Sequence, residues 1–349
     1  MRQERTMENV SRIIRACASV CVILSLFGCA ALFSSRPTTK LEDIIAPGTE
    51  AVLEYDGADG TPELHMTEGA SWMDGKLYFT NINFHLPPDY AGSGMWMLEP
   101  GGECKISKEN VFLVGTCPLG NGNLAVCYLT SEGDGSIIGY IAEMTTGSEI
   151  VRIIAEFCDG IPFGVPNDLW VDSKGGIYFT DALSGSKYGR NKKGTAFYYI
   201  SAGGKVSRLT EWNEHDFPNG CVVSADGSKF FLDDNSDTVW VFDIKPDGTL
   251  ANKRPFAKLV MPEPAGDGKP VVSHADGMAL DRAGNLYVTS AMGLQIFNRD
   301  GVPLGIFNFP KRASNLAFGG DDLSILYATC RDRIYSIQTK MKGYQYPVK

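Results

Sequence analysis

Four oxygen-bearing side chains stand at nearly equivalent places in a repeated pattern. Counted back from a recurring apolar strand, they lie 9, 10, 11 and 10 residues before it and are Glu68, Asn167, Asn219 and Asp276. Hard cations prefer carboxylate and amide oxygens, and Ca²⁺ accepts mixed sets of them at about 2.3–2.6 Å. Four ligands leave one face of the ion open, where a substrate carbonyl is polarised and a water molecule is activated. The set predicts a site for one divalent cation, Ca²⁺ before Zn²⁺, Mn²⁺ or Mg²⁺.

The strands that must position these residues belong to six copies of one unit, an apolar strand, a turn with Gly or Asp, and a second apolar strand. The copies span 70–82, 116–129, 168–182, 220–235, 277–291 and 315–330. Their second strands align at Leu77, Leu124, Ile177, Phe230, Leu286 and Leu326, with spacings of 47, 53, 53, 56 and 40 residues. Such spacings equal one four-stranded blade with its loops. The sequence therefore predicts an all-β, six-bladed β-propeller with the four side chains at one mouth of its central channel.

The last repeat lacks a strand of its own. After RIYSIQT (333–339) only ten residues remain, whereas an unused strand-like stretch, TEAVLEYDG (49–57), precedes the first repeat. An unpaired edge strand would be open to association with other chains. We therefore expect the N-terminal strand to close the last blade.

The N-terminus has the features of an export signal. Four arginines precede the apolar run 16–27, which is shorter than the roughly 20 residues of a membrane-spanning helix. The run ends in Leu26-Phe27-Gly28-Cys29, which resembles the lipobox of bacterial lipoproteins. We predict a signal peptide (1–28), a lipidated Cys29 with a tether (29–45) and the propeller (46–349). The protein would be exported and lipid-anchored to a bacterial membrane, on its periplasmic or cell-surface side; an uncleaved membrane anchor is the alternative.

Net charge limits the kinds of binding partner, and the cysteine content bears on disulfide formation. The net charge is −9, and it becomes −11 without residues 1–28, which carry four Arg and two Glu. An acidic surface disfavours nucleic acid and anionic headgroups as partners, so membrane contact is expected only through the anchor. Six cysteines beyond Cys29 allow 15 disulfide pairings, among which the sequence does not choose: Cys104, Cys117, Cys127, Cys158, Cys221 and Cys330. Their position in apolar strands favours buried free thiols.

Four segments resemble the senescence-marker-protein/gluconolactonase family, which includes regucalcin and sugar lactonases. They are TEGASWMDGKLYFTN, VPNDLWVDSKGGIYFTD, HADGMALDRAGNLYVTSAMGLQIF and NLAFGGDDLSILYATC, and the resemblance covers about residues 50–340. It implies one divalent cation in the channel, with ligands at Glu68, Asn167, Asn219 and Asp276. It also implies that Asp276 is the general base in hydrolysis of a small-molecule lactone or ester. The sugar-holding Arg of regucalcin-type members is replaced by Val165 here, which leaves the substrate open.

Two further polar residues are candidates for substrate contact. His274 lies two residues before Asp276, and Asn315 occupies the matching place in the sixth repeat. A structural role for His274, and an indirect role beside the cation for Asn315, are the alternatives. No G-x-S-x-G or P-loop motif occurs, which disfavours serine-hydrolase and nucleotide chemistry. Two other functions remain open: a ligand-binding propeller with a structural cation, and an arylesterase or phosphotriesterase using the same cation. The oligomeric state is open as well.

Overall fold

β-Strands make up almost all of the regular structure. The computed structural model describes residues 40–58, 63–83, 92–131, 136–182, 191–266 and 268–344. Within these ranges the only helix is a 3₁₀ helix, Leu41–Asp43, and no helix is long and apolar enough to cross a membrane. The predicted signal peptide 1–28 and Cys29 lie outside the described residues.

The first half of the described chain contains one isolated N-terminal strand and three four-stranded antiparallel sheets. The isolated strand is β1 (Val52–Asp56). Blade 1 consists of β2 (Met66–Met73), β3 (Lys76–Ile82), β4 (Gly94–Leu98) and β5 (Cys104–Glu109). Blade 2 consists of β6 (Phe112–Pro118), β7 (Leu124–Ser131), β8 (Ile137–Met144) and β9 (Ile150–Ala155). After a small hairpin of β10 (Phe157–Cys158) and β11 (Ile161–Pro162), blade 3 consists of β12 (Pro166–Val171), β13 (Ile177–Asp181), β14 (Ala196–Ile200) and β15 (Val206–Arg208).

The second half contains three more sheets of the same form. Blade 4 consists of β16 (Cys221–Val223), β17 (Lys229–Leu232), β18 (Thr238–Ile244) and β19 (Leu250–Lys258). Blade 5 consists of β20 (Met278–Leu280), β21 (Leu286–Ser290), β22 (Gly293–Phe297) and β23 (Pro303–Phe307). Blade 6 consists of β24 (Asn315–Gly319), β25 (Ile325–Cys330) and β26 (Arg333–Gln338), and β1 completes it. The described residues thus form the predicted six-bladed all-β propeller.

The N-terminal strand closes the ring, as the sequence predicts. β1 pairs antiparallel with β26, with Val52 opposite Ser336 and Asp56 opposite Arg333. The Arg333 guanidinium and the Asp56 carboxylate form an ion pair at 3.0 Å. Ile44 and Ile45, at the end of the predicted tether 29–45, are buried in a core cluster of blades 5 and 6.

Apolar side chains fill the spaces between neighbouring blades. Between blades 3 and 4, the ring of Phe230 lies 5.1 Å from that of Tyr178 and 5.5 Å from that of Phe197. Full burial of such a side chain contributes roughly 1.5–3 kcal/mol. The inner strands are buried on both faces because each sheet is packed between two others, which explains why the repeats read as continuous apolar runs. The six described cysteines are free thiols, and all except the half-buried Cys104 are buried.

Hydrogen bonds tie the second strand of one blade to the beginning of the innermost strand of the next. The third residue after the aligned apolar position of the second strand is threonine in four blades. The hydroxyls of Thr80, Thr180 and Thr289 donate to the carbonyl oxygens of Val114, Asn219 and Ser314 in the following blade, at 2.9, 2.8 and 3.0 Å. Because these bonds join neighbouring blades, they fix the positions of the strands that carry the candidate site.

Candidate metal centre

The four predicted ligands all lie at the beginning of the innermost strand of their blade. Glu68 is the third residue of β2 and Asn167 the second of β12, whereas Asn219 and Asp276 stand two residues before β16 and β20. Glu68 and Asn219 are buried, and Asn167 and Asp276 are half-buried. Parallel arrangement of the innermost strands around one axis brings these positions to the same end of the channel.

Contacts and charges connect three of these residues directly. The Asn219 amide donates a hydrogen bond to the Asp276 carboxylate, and the charge of Asp276 acts on Glu68. The Asn219 Nδ2 atom also donates to the carbonyl oxygen of Ala275 at 2.9 Å. Asp168, the chain neighbour of Asn167, has a charge that acts on both Glu68 and Asp276. The structure therefore brings Glu68, Asn219 and Asp276 to one acidic centre, whereas Asn167 is placed only by its position at the start of β12.

The carboxyl groups at this centre are hard to ionise in the protein alone. Burial, and then the charges of Asp276 and Asp168, raise the pKa of Glu68 well above its ordinary value. Burial, followed by the charge of Asp168, raises the pKa of Asp276 to about 7. Burial raises the pKa of Asp168 to about 7, although two backbone hydrogen bonds act in the opposite direction. Carboxyl groups crowded in this way bind protons or a cation, because a buried uncompensated charge is costly.

The donor set fits a hard cation. Within the described ranges, the Asn219 Oδ1 atom is buried and accepts no hydrogen bond, whereas the Nδ2 atom of the same amide donates one to Ala275. A buried acceptor without a donor beside two carboxylates is satisfied by a cation, and oxygen-only donors suit Ca²⁺. Among the described residues, no three or more His, Cys, Asp or Glu side chains are grouped to hold a metal. The predicted set has only two such residues, because amides supply its other two oxygens.

Asp168 is a member of this centre that the repeat offset did not select. Its Oδ2 accepts a hydrogen bond from the Cys221 backbone N–H at 3.1 Å, and its Oδ1 accepts one from Leu169 at 2.9 Å. The carboxylate thus joins blade 3 to the first strand of blade 4, just after Asn219. Its position directly after Asn167 in the sequence could have indicated that Asp168 lies near the candidate ligands.

Asp233 occupies the threonine position of blade 4. The equivalent residue is Cys127 in blade 2 and threonine in the other four blades. Asp233 is fully buried, and its Oδ1 accepts a hydrogen bond from the Gly220 N–H at 3.0 Å. Its Oδ2 has no partner in the part of the chain that the structure describes. Burial, and then the charge of Asp276, raise the pKa of Asp233 well above its ordinary value.

Two other acidic residues follow or end second strands, and one of them, Asp181, supports the backbone near the centre. The Asp181 carboxylate accepts hydrogen bonds from the backbone N–H groups of Gly164 and Val165, at 2.8 and 2.7 Å. These residues immediately precede Pro166 and Asn167. Asp234 instead accepts from the His215 imidazole at 2.7 Å, farther out in blade 4.

The two predicted substrate contacts occupy different environments. The Asn315 amide donates a hydrogen bond to the Glu68 carboxylate, and Asn315 Oδ1 accepts one from the Leu316 N–H at 2.8 Å. This places Asn315 against a candidate ligand, which it orients. His274 is exposed with a φ of 47°. Burial, and then the charges of Arg312 and Arg331, lower the pKa of His274.

Arg312 and Arg331 are the main residues at the mouth that the sequence analysis missed. Both are half-buried, and the charges of both act on Asp276. Arg331 follows β25 in a turn, and Arg312 lies in the loop before β24. Neither has a repeat offset or a motif that marks it, because turns within blades and loops between blades differ in length and composition.

A six-bladed propeller with carboxylates and amides at one channel mouth defines a known class of protein. Residues 66–331 match the SMP-30/Gluconolactonase/LRE-like region. This match covers most of the chain, and the protein therefore belongs to that family.

Relatives and solved structures agree with this assignment. A gluconolactonase of Zymomonas mobilis is 24% identical over 326 residues, which cover 85% of this chain and 86% of the relative. A solved gluconolactonase of Xanthomonas campestris is 21% identical with a TM-score of 0.66, and the match covers 87% of this chain and 95% of that one. Regucalcin of Agrobacterium tumefaciens, described as a calcium-binding protein, is 16% identical with a TM-score of 0.62 over 86% of this chain and 96% of that one. At these identities the solved structures show the shared fold.

Proposed function

We propose that this protein is a divalent-cation-dependent lactonase that opens the ring of a small-molecule lactone. The observation that carries the proposal is the group of carboxylates and amides at the channel mouth, where the buried Asn219 Oδ1 atom has no donor among the residues that the structure describes. Its relatives include a gluconolactonase along most of its length, and a calcium-binding regucalcin shares its fold. Ca²⁺ is the proposed cation, because all the donors are hard oxygens.

Each residue at the centre has a role in this proposal. Glu68, Asn167, Asn219 and Asp276 hold the cation, which when bound would polarise the lactone carbonyl and stabilise the developing oxyanion. Asp276 accepts a proton from the attacking water at a carboxylate oxygen. The Asn219 amide donates to that carboxylate and fixes its orientation, while Asn315 fixes Glu68. Because ligation lowers the basicity of a carboxylate, the two roles of Asp276 oppose each other.

The proposal includes the location. The basic and apolar residues of 1–28, followed by Cys29, support export and attachment of the propeller to a bacterial membrane through a lipid.

Proton release from sugar lactones tests the function. The full chain, purified in detergent, is assayed on glucono-1,5-lactone with Ca²⁺, Mg²⁺, Mn²⁺ or Zn²⁺ and with chelator. Activity should require a cation and fall at least a hundredfold in Asp276→Asn, whereas the isosteric change of the exposed Asp300→Asn should leave it intact. If folded, cation-loaded protein hydrolyses no lactone, the proposal fails. Aryl esters and phosphotriesters in the same panel test the esterase alternative, and ligand binding without turnover would favour the binding propeller.

A further inference from the structure

Among the described residues, neither of two arginines at the mouth of the metal centre, Arg312 and Arg331, has an acidic partner. In the described part of the chain, Arg312 forms no hydrogen bond or ion pair although it is half-buried. The polar contact of the Arg331 side chain is a weak one, from Nη1 to the sulfur of Met66 at 3.8 Å. A guanidinium has five N–H donors, and one that is partly desolvated without acceptors is poorly satisfied. Both side chains therefore have donors available for a ligand.

Their basic neighbours, by contrast, are paired. Lys311 binds both carboxylate oxygens of Asp332, at 2.5 and 2.7 Å. Arg333 pairs with Asp56 at 3.0 Å and contacts Asp332. Acidic partners are thus present on this side of the mouth, yet Arg312 and Arg331 do not use them.

Arg312 and Arg331 belong to segments that are both bound to Thr67, since the hydroxyl of Ser314, two residues after Arg312, donates to the Thr67 carbonyl oxygen. The charges of the two guanidinium groups act on each other and on the centre. After burial, the charge of Arg331 is the largest influence that lowers the pKa of Arg312, and the charges of Asp276 and Glu68 oppose it. Like charges held together without a bridging anion repel each other. Two carboxylate ligands, Glu68 and Asp276, would neutralise a divalent cation, and of the acidic groups at the centre only these two act on Arg312. The two arginine charges then remain available for an anion beside it.

The backbone holds at least one of these arginines in place. The Arg331 carbonyl oxygen accepts hydrogen bonds from the Thr67 N–H and the Thr67 hydroxyl, both at 2.8 Å. Thr67 directly precedes Glu68, so the position of Arg331 is tied to that of a candidate ligand. A rigid attachment of this kind suits a binding group, because less conformational freedom is lost when a ligand is bound.

We propose that Arg312 and Arg331 form a subsite for an anionic group of the substrate, and that the substrate is a lactone carrying a carboxylate. The inference rests on the proposed lactonase function. Guanidinium forks match the geometry of a carboxylate and form charge-assisted hydrogen bonds with it. The overall charge of −9 repels anions at long range, so an anionic substrate needs a local group of this kind. His274, exposed beside both arginines, borders the subsite.

A matched pair of lactones tests the subsite. D-Glucaro-1,4-lactone carries a carboxylate where D-glucono-1,4-lactone has a hydroxymethyl group. We expect the ratio of their kcat/KM values to favour the glucaro-lactone and to fall about tenfold or more in Arg312→Gln and in Arg331→Gln. Arg312→Lys should retain part of the preference because it keeps the charge. The exposed Arg299→Gln is the control and should leave the ratio unchanged.

Binding of the open-chain acids tests the subsite independently of turnover. It therefore distinguishes a wrong subsite from a wrong lactonase function. D-Glucarate and D-gluconate are titrated calorimetrically into the cation-loaded full chain, which needs no turnover. Tighter binding of glucarate that is lost in the two glutamine variants supports the subsite, even if no lactone is hydrolysed. Equal binding of the two acids, together with an unchanged kcat/KM ratio in folded variants, would overturn it. In that case hydrolysis of the neutral lactone would still support the proposed function.

Discussion

At the scale of single residues, Asp233 is the clearest departure from the threonines that recur on the second strands of the blades. A threonine at this position donates its hydroxyl to a carbonyl of the next blade, as Thr180 does to Asn219 at 2.8 Å. An ionised aspartate has no proton to donate. Its fully buried Oδ2 accordingly has no partner within the described ranges, which destabilises the protein when the carboxyl group is charged.

Replacing Asp233 by threonine should therefore stabilise the cation-free protein. We expect Asp233→Thr to raise the free energy of unfolding by about 1–3 kcal/mol at pH 8 in chelator, because an unsatisfied buried group is removed. Chemical unfolding followed by circular dichroism measures this difference. Asp233→Asn is the matched control, since it removes the charge without restoring the hydroxyl. A lower stability of the threonine variant would contradict this account.

The repeat offset selected Glu68, Asn167, Asn219 and Asp276 because the inner strands follow a regular spacing, and their role as ligands stays a prediction. The arginines at the mouth could not be predicted in this way. Arg312 and Arg331 lie in connecting segments, and what marks them is their half-burial without an acidic partner in the described ranges. Those properties depend on which loops meet in space, and a sequence pattern does not contain that information.

At the scale of secondary structure, the beginnings of the innermost strands of neighbouring blades lie very close together. A Cβ atom added to a glycine there would displace residues of the candidate site. A Cβ atom on Gly277 would lie 2.5 Å from Cγ and 2.7 Å from Oδ1 of Asn315. Asn315 in turn holds the Glu68 carboxylate. The glycine that precedes β20 in blade 5 thus influences Glu68 in blade 1 through its contact with Asn315 in blade 6.

Gly277→Ala should accordingly weaken cation binding. We expect Ca²⁺ affinity to fall at least tenfold, because Asn315 must move and Glu68 loses its hydrogen bond. Calorimetric titration with Ca²⁺ measures the affinity. Gly120→Ala is the control, since a Cβ atom there has no heavy atom within 4 Å. Unchanged affinity in Gly277→Ala would show that Asn315 does not orient Glu68.

The hairpins and the closing strand were predictable from the sequence because both faces of each inner strand are buried. The small hairpin of β10 and β11 was not predicted. It consists of two residues on each side of Asp159 and Gly160, which have φ values of 51° and 76°. Such a short pair is set by its turn and has no apolar period that would reveal it.

At the scale of the whole molecule, the proposed lipid anchor determines where the propeller acts. We expect Cys29→Ser to abolish incorporation of labelled palmitate and to move the protein from the detergent phase to the aqueous phase on Triton X-114 partition. Cys330→Ser is the matched control, because that thiol is buried in blade 6. Continued partition of Cys29→Ser into detergent would favour the uncleaved membrane anchor.

The acidic centre also makes the stability of the whole fold depend on pH and on the cation. The pKa values of Asp168 and Asp276 are raised to about 7 in the folded protein, from about 3.9 in an unfolded chain. The folded state therefore holds more protons between these values, and its stability falls as the pH rises through about 7. A cation binds the ionised carboxylates and reverses this loss.

Urea unfolding at pH 5 and pH 8, with chelator or with Ca²⁺, measures both effects. We expect cation-free protein to lose a few kcal/mol between the two pH values, at about 1.4 kcal/mol per unit of pKa shift. Ca²⁺ should stabilise the fold strongly at pH 8 and weakly at pH 5, because protons compete for the same oxygens. In Asp168→Asn/Asp276→Asn the pH dependence in chelator should become weaker, and Glu68 and Asp233, whose pKa values are also raised, account for what remains. An equal effect of Ca²⁺ at both pH values would show that Ca²⁺ does not bind these carboxylates, because binding to them must displace their protons.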